Sequence, residues 1–204
     1  MERMKFVNVV ITGVGGQGLL TMARLLAEAA MARGFETLAA ETHGMAQRGG
    51  SVVVFLRIGE EIYAPTFSSG MAHLVVSTEL IEAVRSVPYL RSNGVLATNT
   101  KVIYPAIPGI YGSVDENQVL EWLRARIPNL YTVPASNVAE SLGNPRATNM
   151  VMLGVASVIL ERWIDTEYLA KEVSKIGKGR IAEINRQAYE RGREIAESLR
   201  VVKL

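Results

Sequence analysis

The chain has 204 residues, 49% of them hydrophobic and 21% charged, enough apolar material for one large domain with a sizeable core and too much for wholesale disorder. Lys and Arg number 22 against 20 Asp and Glu, and no basic run occurs, which argues against a dedicated nucleic-acid binder. The absence of cysteine excludes disulfides, a thiolate nucleophile and a cysteine-held iron–sulfur cluster, and two histidines, His43 and His73, are too few for a zinc site without carboxylates.

The opening Met1-Glu2-Arg3-Met4-Lys5 leads into an apolar run that glycines soon interrupt, a pattern fitting neither a membrane span nor a signal peptide. The cytoplasm is therefore the expected location. Val7 to Thr12 reads as a buried strand ending at Gly13-Val14-Gly15-Gly16-Gln17-Gly18, and a helical pattern runs from Gln17 to about Arg33, with Gly34 placed to stop it. Gly13, Gly15 and Gly18 fit G-x-G-x-x-G between a strand and a helix, with Gly16 a fourth glycine. Glycines permit a sharp turn and close approach of a phosphate to the unpaired N–H groups of the helix start. They also permit tight strand–helix packing, so both readings stand.

Thr37 to Glu41 reads as a second strand, parallel to the first by the usual βαβ handedness. Glu41 lies 23 residues after Gly18, where a dinucleotide-binding fold places an acid on the ribose. The loop Thr42-His43-Gly44-Met45-Ala46-Gln47-Arg48-Gly49-Gly50-Ser51 is either a surface turn or a second anion-facing bend, with Arg48 as its cation and Gly49-Gly50 baring N–H groups. His43 there is suited to acid or base work near neutral pH, or to a hydrogen bond with a neighbouring chain.

Ser51 to Ile58 is a strand expected to form an antiparallel hairpin with Ile62 to Ala64 through Gly59-Glu60-Glu61. Ala72 to Ser77 is a further buried strand carrying His73, which is read as a satisfied core histidine, and a short helix follows over Glu79 to Arg85. Asn93-Gly94 reads as a loop before a strand Val95 to Thr98. Val102 to Ser113 is irregular: an extended segment, a covering loop or a partner-binding surface. A helix over Val114 to Ala125, with Asp115 and Glu116 at its start, a strand Leu130 to Pro134 and a short helix Ala135 to Leu142 follow.

Ala147 to Leu160 is apolar nearly all round and should be buried centrally or at a subunit interface, its methionines serving as core filler. Asn149 either caps this helix or contacts a ligand, capping being preferred. Asp165 to Lys175 and a long amphipathic helix from Gly179 to Leu199 complete the chain. The expected fold is α/β: a Rossmann-like, mainly parallel sheet with flanking helices, an added antiparallel hairpin and a helical C-terminus. A single domain is expected over 1–204, with its Rossmann-like core at about 5–160 and a helical tail at about 161–204. No paired carboxylates, nucleophile elbow or Walker lysine stand out, so the residues alone describe a phosphate-binding domain that is not a self-sufficient enzyme.

Gly13-Val14-Gly15-Gly16-Gln17-Gly18-Leu19-Leu20 together with Glu41-Thr42-His43-Gly44-Met45-Ala46-Gln47-Arg48-Gly49-Gly50-Ser51-Val52 resembles the gamma-type subunit of 2-oxoacid:ferredoxin oxidoreductases, most closely the beta subunit of the indolepyruvate type. Asn149-Met150-Val151-Met152-Leu153-Gly154 extends the likeness more weakly. The resemblance implies an assembly that decarboxylates a 2-oxoacid on thiamine diphosphate, passes electrons through [4Fe–4S] clusters to ferredoxin and releases an acyl-CoA. It implies that thiamine diphosphate and the clusters sit in a large partner subunit, in keeping with the lack of cysteine here. It further implies that this chain covers the active site and contacts coenzyme A through Gly13, Gly15, Gly16, Gln17, Gly18, Arg48, Gly49, Gly50 and Ser51. His43 matches the motif without carrying a catalytic role across. A homodimer of the isolated chain is conceivable, and a freestanding NAD(P)- or FAD-binding Rossmann oxidoreductase and a bare scaffold stand as alternatives.

Overall fold

A computed structural model describes residues 5–43, 49–104 and 114–204, and of His43 its backbone alone. Among the described residues six strands form one sheet in the order β2-β3-β1-β4-β5-β6. They are β1 Phe6–Val14, β2 Glu36–His43, β3 Ser51–Gly59, β4 Ala72–Ser77, β5 Leu90–Asn99 and β6 Asn129–Val133. Only β3 runs against the others: it pairs antiparallel with both β1 and β2, while β1–β4, β4–β5 and β5–β6 are parallel.

This places β2 one strand further out than a βαβ unit would, and the expected direct pairing of the first two strands does not occur. The reason lies in the residues of β3. Val52, Val54, Phe55, Leu56 and Ile58 are buried on both faces, which suits an interior position. Strand β2 carries Glu36, Thr37, Glu41 and Thr42 and is mostly exposed, which suits an edge. The antiparallel element is thus β2–β3, not β3 with Ile62 to Ala64. The latter segment forms no strand; its Ile62 N–H instead donates to Glu36 Oε2 at 3.1 Å.

Helices α1 (Leu19–Ala32), α4 (Ala135–Ser141), α5 (Thr148–Ile159), α6 (Thr166–Val173) and α7 (Arg180–Ser198) pack on the face that presents Val7, Val9 and Ile11. Helices α2 (Leu80–Ser86) and α3 (Glu116–Arg124) cover Val10, Val75 and Leu96 on the other. All twelve residues of α5 are buried. It is the centre of the larger layer, as its all-round apolar sequence requires. Asp115 and Asp165 accept backbone N–H bonds at the starts of α3 and α6, and Gly34, with φ 95°, follows α1. Asn93-Gly94 is not a loop but an irregularity inside β5, where the pairing with β4 shifts between Ala72 and Leu74.

At the opposite end of the sheet from the glycine motif, the Asn8 N–H donates to His73 Nδ1 at 3.0 Å and the Phe6 ring meets the imidazole edge-on. Burial, with Arg91 and Arg57 nearby, lowers the imidazole pKa from 6.5 to about 4. His73 is the satisfied core histidine expected. Its folded pKa lies below the unfolded one, so the unfolded chain binds more protons between those values, and stability is lost as pH falls from about 6.5 towards 4. The expected loss is about 2 kcal/mol, allowing for solvent screening of the two arginines. In urea titrations across this range His73→Asn, whose Oδ1 can replace Nδ1 as acceptor, should flatten that slope. An unchanged slope would acquit His73.

Candidate functional site

The carboxyl ends of β1, β4, β5 and β6 share one edge of the sheet, and the chain leaves β1 towards β2 on one side and reaches β4 on the other. This reversal is where open α/β sheets form a ligand crevice. The Gly13–Gly18 turn sits there, and Gly49-Gly50-Ser51 enters beside it because β3 begins where β1 ends, with Ser51 paired to Val14.

The two bends bond to each other. Gly15 N–H donates to Gly50 O at 2.8 Å, and Gly49 N–H to Gly15 O at 3.4 Å. Two of the amides that the sequence suggested for an anion are thereby used between the loops. Gln17 folds inward: its Oε1 accepts from Val14 N–H at 2.6 Å and from Thr78 Oγ1 at 2.7 Å. Gly13 lies under this knot, where a Cβ would overlap Thr78 Oγ1 and come within 2.7 Å of Gln17 Oε1. Gly16 (φ 97°) and Gly18 (φ 74°) turn the chain into α1, and no described residue accepts from either amide. Helix α1 starts at Gly18 with neither a side-chain cap nor an acid in its first turn. Of the other candidates, Ser51 Oγ donates to Glu82 Oε2 at 2.5 Å. Arg48 lies outside the described residues, as does the side chain of His43.

Three hollows ring the knot. One of about 210 Å³ runs between Val14, Gly50, Glu79, Glu82, Ile103 and Tyr104. Glu79 is 2% exposed, accepts from Glu82 N–H at 2.7 Å and Ile103 N–H at 3.1 Å, and has its pKa raised, chiefly by burial. Glu82 holds Arg85 at 2.9 Å. Arg85 lines this hollow too, so its largely apolar wall carries two buried acids and one cation, with Glu82 and Arg85 paired. A second, of about 350 Å³, lies beyond Gly16 and Gln17 and is flanked by Lys101, Ser136, Glu140 and Arg146. The third, of about 330 Å³, is bounded by Gly15, Gly16, Gly18, Leu20 and Glu41.

Glu41 is level with Val54, and Val54 with Ile11, so the acid stands two residues short of Gly13 and a whole strand, about 5 Å, further from β1 than in a dinucleotide fold. Asn149 is no cap: α5 begins after Ala147 without a side-chain cap, and the Asn149 carboxamide lies against Gly18 instead. Thr78, Glu79 and Ser136 also stand at the crevice, unannounced by any sequence motif. Each follows the end of a parallel strand, and that position was the available signal. Among the described residues no group of three or more His, Cys, Asp or Glu could hold a metal ion, and no helix is long and apolar enough to cross a membrane.

The family model described as pyruvate ferredoxin/flavodoxin oxidoreductase matches residues 8–195. The chain is similar to indolepyruvate oxidoreductase subunit IorB of Archaeoglobus fulgidus, 37% identical over 189 residues that cover 91% of this chain and 92% of the relative. The Thermococcus kodakarensis subunit of the same name is 35% identical, over 96% of this chain and 98% of that one. The fold matches that of a 2-oxoglutarate:ferredoxin oxidoreductase from Magnetococcus marinus with 2-oxoglutarate, coenzyme A and succinyl-CoA bound, at TM-score 0.73 and 17% identity, over 98% of this chain and 32% of the other.

Proposed function

The chain belongs to the pyruvate ferredoxin/flavodoxin oxidoreductase family and is a subunit of a 2-oxoacid:ferredoxin oxidoreductase, and from that premise we infer that it serves an indolepyruvate-type enzyme as the subunit that covers the active site and contacts coenzyme A. The observation that carries this reading is the hydrogen-bonded junction of the two glycine-rich bends at the carboxyl edge of the sheet. It brings both halves of the sequence motif into one place, beside a hollow with cations on its rim. The names of the relatives support the arylpyruvate substrate class, and the coenzyme A bound in the related fold supports the thiol substrate.

Thiamine diphosphate and the [4Fe–4S] clusters do not fit this chain. It has no cysteine to supply cluster thiolates and no described cluster of carboxylates for the metal of a diphosphate cofactor. We assign both to a larger partner subunit, with ferredoxin as electron acceptor and the cytoplasm as location. This chain's own part is binding and enclosure. Its Gly16–Gly18 turn presents main-chain donors, its apolar Val102 and Ile103 line the crevice, and its closed junction keeps Gly15 and Gly50 rigid. The freestanding NAD(P)- or FAD-dependent alternative is weakened by the strand between β1 and Glu41.

Anaerobic purification of the tagged native chain tests the inference. It should bring down a brown, thiamine-bearing subunit, and that complex should reduce ferredoxin with indolepyruvate only when coenzyme A is added. Turnover by the isolated chain, or a complex that prefers pyruvate, would overturn it.

A further inference from the structure

The two glycine bends are gripped from one short stretch of chain. Thr78, just past β4, donates its hydroxyl to Gln17 Oε1 at 2.7 Å and so holds the first bend. Glu82, in the first turn of α2, accepts the Ser51 hydroxyl through Oε2 at 2.5 Å and so holds the second. The start of α2 is itself fixed, because Glu79 Oε2 accepts the Glu82 N–H at 2.7 Å and Glu79 Oε1 the Ile103 N–H at 3.1 Å.

Stability alone does not account for Glu82. The residue is 4% exposed, and a carboxylate buried this far costs free energy that an ion pair returns only in part. Its partner Arg85 reaches Oε1 at 2.9 Å from a side chain that is 53% exposed, and a pair so open to solvent contributes little. Arg85 also lies one turn along the same helix, so the pair ties α2 to nothing else. The hydrogen bond that the Glu82 side chain makes beyond α2 is the one to Ser51. Ser51 adjoins Gly50, whose carbonyl accepts the Gly15 N–H at 2.8 Å, so a shift at Ser51 is passed directly to the junction of the bends.

We propose that Glu82 is a positioning residue of the oxidoreductase, which through the Ser51 hydroxyl sets the second glycine bend against the first. Its role is geometry, not proton transfer. The clasp stands on the bonds just described, whereas the substrate that feels it rests on the coenzyme A contact inferred above.

The test uses the purified complex, with rates taken per mole of assembled enzyme. Glu82→Leu keeps the bulk of the side chain and removes both the acceptor and the buried charge, so the melting temperature should hold or rise. In the same variant kcat/KM for coenzyme A should fall by about tenfold. Ser51→Ala should lose the same factor, and the double variant no more than either single, because one bond is removed in all three. Glu82→Gln, whose amide oxygen can accept the Ser51 proton, should regain most of the loss. Losses that multiply in the double variant, or a Glu82→Leu rate within about twofold of wild type, overturn the proposal. A coupled loss that falls on the oxoacid and not on coenzyme A keeps the clasp and discards the coenzyme A contact. Should Glu82→Leu fail to fold or assemble, Ser51→Ala against Ser51→Thr, which keeps a hydroxyl, carries the test, and equal losses in those two overturn the proposal.

Discussion

Alanine at Gly154 or Gly192 is expected to destabilise the fold by about 3 kcal/mol, although in an open helix the same change would stabilise by up to about 1 kcal/mol. The sign is reversed by the crossing of α5 and α7. A Cβ on Gly192 would run into the Val151 carbonyl, with its carbon at 2.8 Å, and one on Gly154 into the Tyr189 carbonyl, with Arg193 N at 2.9 Å and Gly192 Cα at 3.0 Å. Every one of these obstacles is backbone, so no rotamer relieves them and the helices must part. Parting them strips contacts from Val151, Val155 and Ala188, all fully buried. Because one separation accommodates both methyls, the double variant should cost less than the two singles added. Urea unfolding midpoints read all three, and a single variant within 1 kcal/mol of wild type would show that the crossing yields.

The second large effect is expected at Gly13. In Gly13→Ala the new methyl displaces Gln17 from its bonds to Val14 N–H and Thr78 Oγ1, breaking the knot that fixes the turn. Two part-buried hydrogen bonds and the strain of refitting amount to about 2–4 kcal/mol. The loosened turn can no longer hold Gly15 against Gly50, three residues before the start of α1 at Gly18. In the reconstituted enzyme kcat/KM for coenzyme A should fall by about tenfold or more, with a smaller change in the KM for the oxoacid. Equal losses for both substrates would place the damage in subunit assembly rather than in the turn. The double variant Gly13→Ala/Gln17→Ala, which empties the contested space, should recover part of the stability and little of the activity.

Local chemistry was readable from the residues wherever one periodicity dominated. The buried strand before the glycines, the all-apolar α5 and the acids at the start of α3 follow from patterns confined to a single element. What escaped was strand neighbourhood. Whether β2 or β3 lies against β1 depends on comparing the burial demands of two strands, and nothing in either strand alone announces it. The inward fold of Gln17 was also hidden, since its partner Thr78 is 61 residues away. Asn149 shows a related limit. An Asn early in a helix is ordinarily a cap, whereas here its carboxamide lies against Gly18, a contact 131 residues distant in the chain that α5 alone does not announce. Both glycine bends were recognised as a pair by resemblance, while their mutual hydrogen bonds come from the antiparallel register of β3 beside β1.

The unequal layering of the sheet has a dynamic corollary. Among the described residues, five helices bind one face into a large, continuous apolar mass, whereas α2 and α3, with loop residues such as Phe67 and Val102, cover a smaller cluster on the other. The thinner side has less to lose when it breathes, so amide protons of α2 and α3 should exchange with solvent through partial openings that leave α5 and α7 shut. On that expectation α2, which carries Glu82 and Arg85, would put one wall of the crevice in the more readily opened half and leave the glycine turn in the other. The two banks of the crevice should then differ in how readily they deform when something enters between them.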